Sequence, residues 1–136
     1  MENIFETYNQ MNEFGRDHGM TYKVISPGHI EYFFTPVQKH LATKTAIHGG
    51  MIAAFMDAII GVAALSAVYA EGKLVATVEF KINLLAPAKA NLQLKGIGQV
   101  VSKGKSTLVV NGNILDNQGI LIATGLGTLK SYIPVN

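Results

Sequence analysis

The spacing of apolar residues changes along the first third of the chain, and each change marks a predicted element. Apolar positions recur at helical spacing from Glu2 to Phe14, and Gly15 and Gly19 predict the end of this first helix. Residues 20–26 then alternate, and residues 29–34 are aromatic or β-branched. With a proline-glycine turn between them, these two segments predict a hairpin of two strands.

A long apolar segment follows an aperiodic stretch that predicts a loop over residues 36–47. The segment runs from Gly49 to about Tyr69, which is long enough for a transmembrane helix. Asp57 near its middle would cost about 2.5–3.5 kcal/mol inside a bilayer, and alanine and glycine offset little of that cost. The pattern therefore favours a helix of a soluble protein that is buried on nearly all sides.

In the second half of the chain apolar residues recur at every second position, and this alternation predicts strands. Residues 74–84 predict one long strand with Thr77 on its polar face and the apolar residues on the other. Three further strands, predicted over residues 91–101, 106–115 and 120–132, are joined by tight turns and form a meander. Gly96 and Gly98 mark a bulge or a close approach. This order predicts an α+β architecture, an antiparallel sheet covered by one central helix.

The composition indicates one globular domain over residues 1–136, with residues 1–19 as an N-terminal helical segment. Nearly half of the residues, 49%, are apolar and 15% are charged, which excludes a disordered chain. There is no cysteine, so disulfides and thiolate metal sites are excluded. Arg16 is the one arginine in a chain of net charge +2, which disfavours a nucleic-acid partner. The N-terminus lacks the pattern of a secretory signal, and we expect a cytoplasmic protein that does not bind membranes.

The common signatures of phosphate loops, zinc peptidases and serine hydrolases are missing from the sequence. The four histidines have no regular metal-ligand spacing, and we expect no metal site. The chemistry therefore has to come from other residues.

The start of the long helix is one candidate. His48-Gly49-Gly50 precedes or begins the helix, where unpaired N–H groups and the positive end of the helix dipole lie. Because the glycines carry no side chain, an incoming oxygen could reach these amides as in an oxyanion site. The alternative is that the glycines only allow tight packing where the loop enters the helix.

Asp57 is the second candidate, because a carboxylate inside an apolar helix is costly unless something compensates it. It could act as a general base or a nucleophile on a substrate. The alternative is that it contacts a lysine or a backbone donor at an interface.

Two segments of the chain together resemble a known family. The sequences HGGMIAAFMDAIIG and LVATVEFKINLLAPAK resemble the paired signature of the hotdog-fold thioesterase superfamily, in particular its phenylacetate-pathway-type (PaaI-like) acyl-CoA thioesterases. The order of predicted elements from about residue 20 to 132 is similar as well. The resemblance implies a long helix wrapped by a curved antiparallel sheet. It also implies hydrolysis of a thioester between an acyl group and coenzyme A or a carrier protein, with no cofactor beyond the coenzyme A of the substrate.

The resemblance also assigns roles to particular residues. Gly49 would supply the oxyanion N–H, Asp57 the base or nucleophile, and Thr77 a hydroxyl that holds the attacking water. His48 would shape the helix entry. Further candidates for substrate binding are Gly50, Phe55 and Met56. Phe55 and Met56 belong to an apolar face of the helix that also includes Met51 and Ile52. This face could line an acyl tunnel, or it could pack in the core.

Two positions before the motif histidine depart from the pattern of the family. Similar thioesterases carry an asparagine six residues before it and a glycine three residues before it, whereas this chain has Ala42 and Thr45. The second oxyanion donor is therefore missing from its usual place, and loss of such a donor costs about 10²–10³ in rate. Thr43, Thr45 or His48 could substitute for it.

The spacing of the candidate residues predicts a site shared between two subunits. Gly49 and Asp57 are eight residues apart, which is about 12 Å along a helix and too far for both to act on one carbonyl group. Antiparallel helices of two copies would bring Gly49 of one copy to Asp57 of the other. The resemblance implies the same homodimer, often paired into a homotetramer.

Two other functions stay open. The chain could bind or sense an acyl thioester without turnover, as the missing asparagine at Ala42 suggests. Dehydratase or isomerase chemistry on the same fold is the third hypothesis, and it would require a histidine opposite an acid in a dry tunnel. In this sequence His48 and Asp57 belong to the same helix, which argues against it.

Overall fold

The computed structural model describes residues 4–135, and Glu2 at the start of the predicted first helix lies outside that range. The strands are β1 (Thr21–Ser26), β2 (His29–Phe34), β3 (Leu74–Leu84), β4 (Leu94–Lys103), β5 (Thr107–Leu115) and β6 (Leu121–Tyr132). The helices are α1 (Ile4–Met11), α2 (Glu13–Asp17) and α3 (Gly49–Val68), with short 3-10 helices at Gln38–His40 and Tyr69–Glu71.

All six strands form one antiparallel sheet in the order β1-β2-β4-β5-β6-β3. The predicted hairpin of β1 and β2 and the predicted meander of β4, β5 and β6 are both confirmed. The strand β3 follows α3 in the chain but pairs with β6, so it lies at the edge of the sheet. The edge position leaves one side of its backbone without a strand partner in the part of the chain that the structure describes.

The long helix α3 lies against the sheet, which curves around it, and this confirms the predicted α+β architecture. By length and composition α3 could cross a membrane, but its buried residues pack in the core of the protein. They include Phe55, Met56, Ile59 and Ile60, each fully shielded from solvent. The interpretation of this segment as a core helix is therefore confirmed.

Glycines on three neighbouring strands allow α3 to approach the sheet closely. Gly98, Gly112 and Gly125 lie side by side on β4, β5 and β6. A Cβ atom on Gly98 would lie 3.0 Å from the carbonyl oxygen of Ile59 and 3.0 Å from the Cβ of Ala63, both on α3. A side chain at this position would push the helix away from the sheet. The predicted close approach at Gly98 is confirmed.

The N-terminal segment is two helices, so the prediction of one helix from Glu2 to Phe14 was wrong. The break falls at Asn12, whose side chain accepts a hydrogen bond from the N–H of Gly15 at 3.1 Å and caps α2. Asparagine competes with the helix backbone in this way, which favours a new helix start over continuation. Gly15 is a buried residue inside α2, and Gly19, with φ of +67°, follows its end.

A β-bulge in β3 overturns the predicted division of that strand into two faces. Thr77 pairs with Leu129 and Glu79 pairs with Thr128, so Val78 is an extra residue without a partner, and it is 64% exposed. The bulge reverses the alternation. Thr77 therefore lies on the side that faces α3, the same side as Phe80, and not on an opposite polar face.

Candidate active site

The start of α3 is held by hydrogen bonds to the first turn of the helix and to the loop that precedes it. His48 caps the helix, and its Nδ1 atom accepts the N–H of Gly50 at 2.9 Å. Its backbone carbonyl accepts the N–H of Met51 at 2.9 Å, and its own N–H donates to the carbonyl of His40 at 2.8 Å. These contacts hold the loop and the first helical turn in one conformation.

Gly49 keeps an amide that no acceptor occupies among residues 4–135. It lines a cavity of about 350 Å³ together with Leu84 at the end of β3 and residues of the segment that follows. A Cβ atom on Gly49 would come within 2.9 Å of Cδ1 of Leu84. The amide lies at the positive end of the α3 dipole, whereas the N–H of Gly50 is engaged by His48.

Asp57 and Thr77 form the second part of the site. The Thr77 hydroxyl donates a hydrogen bond of 2.7 Å to Oδ1 of Asp57 and joins β3 to the third turn of α3. The bulge at Val78 makes this contact possible because it keeps both Thr77 and Phe80 on the helix side of β3. One carboxylate oxygen is thereby held in place, and the other has no hydrogen-bond partner among residues 4–135, so it is available to a ligand.

The Asp57–Thr77 pair opens onto a cavity of about 560 Å³ whose walls are mainly apolar. Asp57 is the one charged side chain among the described residues that line it. The edge of the sheet and α3 form most of the wall, and the N-terminal helices close one side. The apolar lining residues include Met11, Phe14, Leu65, Leu74, Leu129 and Tyr132.

Within one chain, the structure does not bring Gly49 and Asp57 together. They line separate cavities, and the continuous helix between them sets their separation at about 12 Å along its axis. A single carbonyl group cannot reach both groups at once.

The chain is matched by the family model of the thioesterase superfamily over residues 45–123, more than half of its length. It belongs to the thioesterase superfamily. The matched range contains the start of α3, Asp57 and Thr77. No match was found among curated proteins.

Solved structures of several proteins share the fold. The PaaI protein of the phenylacetic acid degradation operon from Escherichia coli is 22% identical, with a TM-score of 0.86 over 96% of this chain and 91% of that one. A thioesterase family protein from Silicibacter pomeroyi is 25% identical, with a TM-score of 0.85 over 95% and 96%. A Streptococcus mutans protein bound to acetyl-CoA is 25% identical, with a TM-score of 0.75 over 83% and 88%. The hotdog fold implied by the sequence resemblance is confirmed.

Two of the residues that the sequence suggested for substrate binding lie in the core. Phe55 packs against Tyr32 and Phe34 of β2, and Met56 lies under the glycines of β5 and β6; both side chains are 0% exposed. Neither lines the cavity beside Asp57. Their positions fit the alternative of core packing, and a binding role for them stays a prediction.

The N-terminal helices were not recognised as part of the site from the sequence. Tyr8 of α1 lines the cavity. Burial raises the pKa of its hydroxyl, and the nearby negative charge of Asp57 raises that pKa further. Met11 lines the same cavity and is 76% exposed in one chain. The signal available in the sequence was a methionine at the end of a helix with a recurring apolar position.

A pair of histidines near the start of α3 was also missed. Nδ1 of His18 lies 2.8 Å from Nε2 of His40, and Nδ1 of His40 accepts the N–H of Val37 at 2.9 Å. A backbone N–H can only donate, so Nδ1 of His40 carries no proton and its Nε2–H donates to His18. Burial, chiefly, lowers the pKa of His40, and the charges of His18 and Lys39 lower it further.

Among residues 4–135, no three histidine, aspartate or glutamate side chains form a group that could hold a metal ion. His18 and His40 contact each other and His48 caps α3, so three of the four histidines have structural contacts.

Proposed function

We propose that the chain is a cytoplasmic thioesterase that hydrolyses acyl-CoA or acyl-carrier thioesters. The observation that carries this proposal is the Asp57–Thr77 pair at the mouth of an apolar cavity of about 560 Å³. Membership of the thioesterase superfamily supports the reaction class. A bound acetyl-CoA in the Streptococcus mutans protein supports a coenzyme A thioester as the substrate.

Asp57 carries the reaction in this proposal. As a general base it takes a proton from water, whose oxygen attacks the thioester carbonyl carbon; as a nucleophile its own oxygen attacks. In both cases the C–S bond then breaks, and the sulfur takes up a proton and leaves as a thiol. The general-base route gives the free acid directly. The nucleophile route leaves the acyl group on Asp57 as an anhydride, which water hydrolyses to release the acid and regenerate the carboxylate. Thr77 orients the carboxylate through its hydrogen bond and can accept a hydrogen bond from the attacking water.

Gly49 of the partner subunit stabilises the negative charge on the carbonyl oxygen. Its N–H has no acceptor among the described residues, and it lies at the positive end of the α3 dipole. The distance of about 12 Å within one helix supports a homodimer in which each site combines Gly49 from one copy with Asp57 from the other. A homotetramer would pair two such dimers.

The second oxyanion donor is less clearly provided. Thr43 accepts the N–H groups of Thr45 and Ala46 within its own loop, and Nδ1 of His48 accepts that of Gly50. Ala42 has no side-chain donor. The Thr43 hydroxyl and the Nε2–H of His48 keep a proton to donate, so the missing donor at Ala42 is the observation that favours a second candidate function. That function is the binding or sensing of an acyl thioester without turnover.

The release of free thiol from a panel of acyl-CoA thioesters tests the proposal. Wild-type protein is expected to release thiol, and Asp57→Ala is expected to lower kcat by about 10²–10⁴. Asp57→Asn is the matched control for the shape of the side chain, and it is expected to be as slow. Tight binding of an acyl-CoA without thiol release would overturn the hydrolase and establish the binding protein.

A further inference from the structure

The cavity beside Asp57 continues along α3 past the carboxylate. Gly61 follows Asp57 by four residues, lies on the same face of the helix and lines the cavity, and Leu65 lines it one turn further on. The opposite wall comes from β3 and β6, with Leu74 and Leu129. An acyl group whose carbonyl carbon lies at Asp57 can therefore extend along the helix and over Gly61.

Gly61 is a glycine that neither packing nor backbone conformation requires. A Cβ atom built on it would meet no atom within 4 Å, whereas at Gly98 the same atom would touch the helix backbone. Its φ is not positive, and glycine in the interior of a helix is destabilising relative to alanine. What the glycine does provide is empty space in the cavity wall.

The charge of the cavity restricts the acyl group further. Asp57 is the one charged side chain among the lining residues that the described part of one chain contributes, and none of these is a lysine or arginine that could pair with a second carboxylate. A negatively charged acyl group would be repelled by Asp57 and would lose its hydration against apolar walls. The cavity thus fits an uncharged, apolar acyl group.

We propose that Gly61 sets the depth of the acyl chamber and that the substrates carry uncharged acyl groups long enough to extend from Asp57 over Gly61. A two-carbon acyl group ends beside Asp57, whereas a longer group spans the helical turn of about 6 Å that separates Asp57 from Gly61. The inference rests on the proposed function, since it takes the cavity beside the catalytic carboxylate as the acyl site.

A series of substitutions at position 61 tests this assignment. Gly61→Leu places its Cβ atom in open space, so we expect the fold to tolerate it, and Gly61→Ala is the matched control that adds one methyl group. The measured quantity is the ratio of kcat/KM for decanoyl-CoA to kcat/KM for acetyl-CoA. We expect Gly61→Leu to lower this ratio at least tenfold, with Gly61→Ala between it and wild type. An unchanged ratio in a folded Gly61→Leu protein would overturn the proposal.

Two further measurements separate this inference from the proposed function. Dissociation constants for decanoyl-CoA are measured by calorimetry in the Asp57→Asn background, with and without Gly61→Leu, so that binding is determined without turnover. If Gly61→Leu weakens the binding of decanoyl-CoA and the wild-type protein cleaves no thioester, the proposed hydrolase function is overturned, whereas the assignment of the acyl chamber is supported. Succinyl-CoA is expected to be a poorer substrate and ligand than hexanoyl-CoA, and equal values would contradict the charge argument.

Discussion

Thr77 contacts the carboxylate on which the proposed reaction depends, through a hydrogen bond of 2.7 Å to Asp57. Hydrogen bonds to charged groups contribute about 1.5–3 kcal/mol, and the hydroxyl also fixes which carboxylate oxygen faces the ligand. The residue therefore acts on both the orientation and the charge of Asp57.

Replacement of the Thr77 hydroxyl should slow catalysis without unfolding the protein. Thr77→Val has nearly the same shape and loses the donor, and we expect kcat to fall roughly ten- to a hundredfold while KM changes less. Thr77→Ser keeps the donor and should restore most of the activity. Equal rates for the valine and serine variants in a thiol-release assay would show that the hydroxyl has no role.

His40 is the residue at which we expect the stability of the fold to depend on pH. In the folded chain its Nδ1 accepts the N–H of Val37, which requires an unprotonated nitrogen, and burial lowers its pKa below the ordinary value of 6.5. The unfolded chain therefore binds this proton more readily than the folded one. The stabilisation is complete above about pH 6.5 and is lost as the pH falls through the pKa of folded His40.

The free energy of unfolding measured by urea denaturation at pH 7.5 and pH 5.5 checks this prediction. Wild type should lose stability at the lower pH. His40→Asn places an amide oxygen where Nδ1 lies and cannot be protonated, so its stability should change less over the same interval. The same pH dependence in both proteins would assign it to groups other than His40.

At the scale of elements, the sequence was sufficient wherever one period of apolar residues extended over a whole helix or strand. The hairpin and the meander follow from such patterns, whereas the core helix follows from a long apolar segment. Asp57 was recognisable as the one charged residue inside that segment, and its role in catalysis stays a prediction. The break at Asn12 and the bulge at Val78 were not predictable, because one local hydrogen bond and one unpaired residue decide them. The edge position of β3 depends on long-range pairing, which no local pattern records.

The packing of α3 on the sheet depends on the glycines of the meander strands. Gly98→Val would place atoms against the Ile59 carbonyl oxygen, 3.0 Å from the Cβ position, and backbone cannot move aside as a side chain can. We expect a loss of stability of about 1–3 kcal/mol, measured by chemical denaturation. Gly61→Ala, which has open space around it, should instead gain about 0.5–1 kcal/mol. A Gly98→Val protein as stable as wild type would disprove the close contact.

At the scale of the whole molecule, a site built from two subunits can be tested by mixing defective copies. Gly49→Pro removes the N–H at the first helical position, where proline is tolerated, and the ψ of 130° at His48 suits a following proline. Asp57→Ala removes the carboxylate. Each homodimer should be inactive, whereas the heterodimer contains one intact site and should have about half of wild-type activity.

The matched control for this experiment is Gly49→Ala. It adds a Cβ atom near Leu84, as proline does, but it keeps the N–H and should remain active alone. Failure to recover activity after proven subunit exchange, or an active monomer, would exclude the shared site.

The extra residue in β3 also changes what a deletion does to this strand. Removal of one residue from a regular strand turns every later side chain to the other face. Removal of Val78 instead joins the Thr77–Leu129 pair directly to the Glu79–Thr128 pair and leaves Thr77 and Phe80 facing the helix. Deletion of Lys81, in the regular part of the strand, would turn a core residue outward. A related chain that lacks the residue at position 78 can therefore keep the hydrogen bond between the threonine and the aspartate. An alignment of that chain without a gap at position 78 would match residues of this strand that do not correspond in the structure.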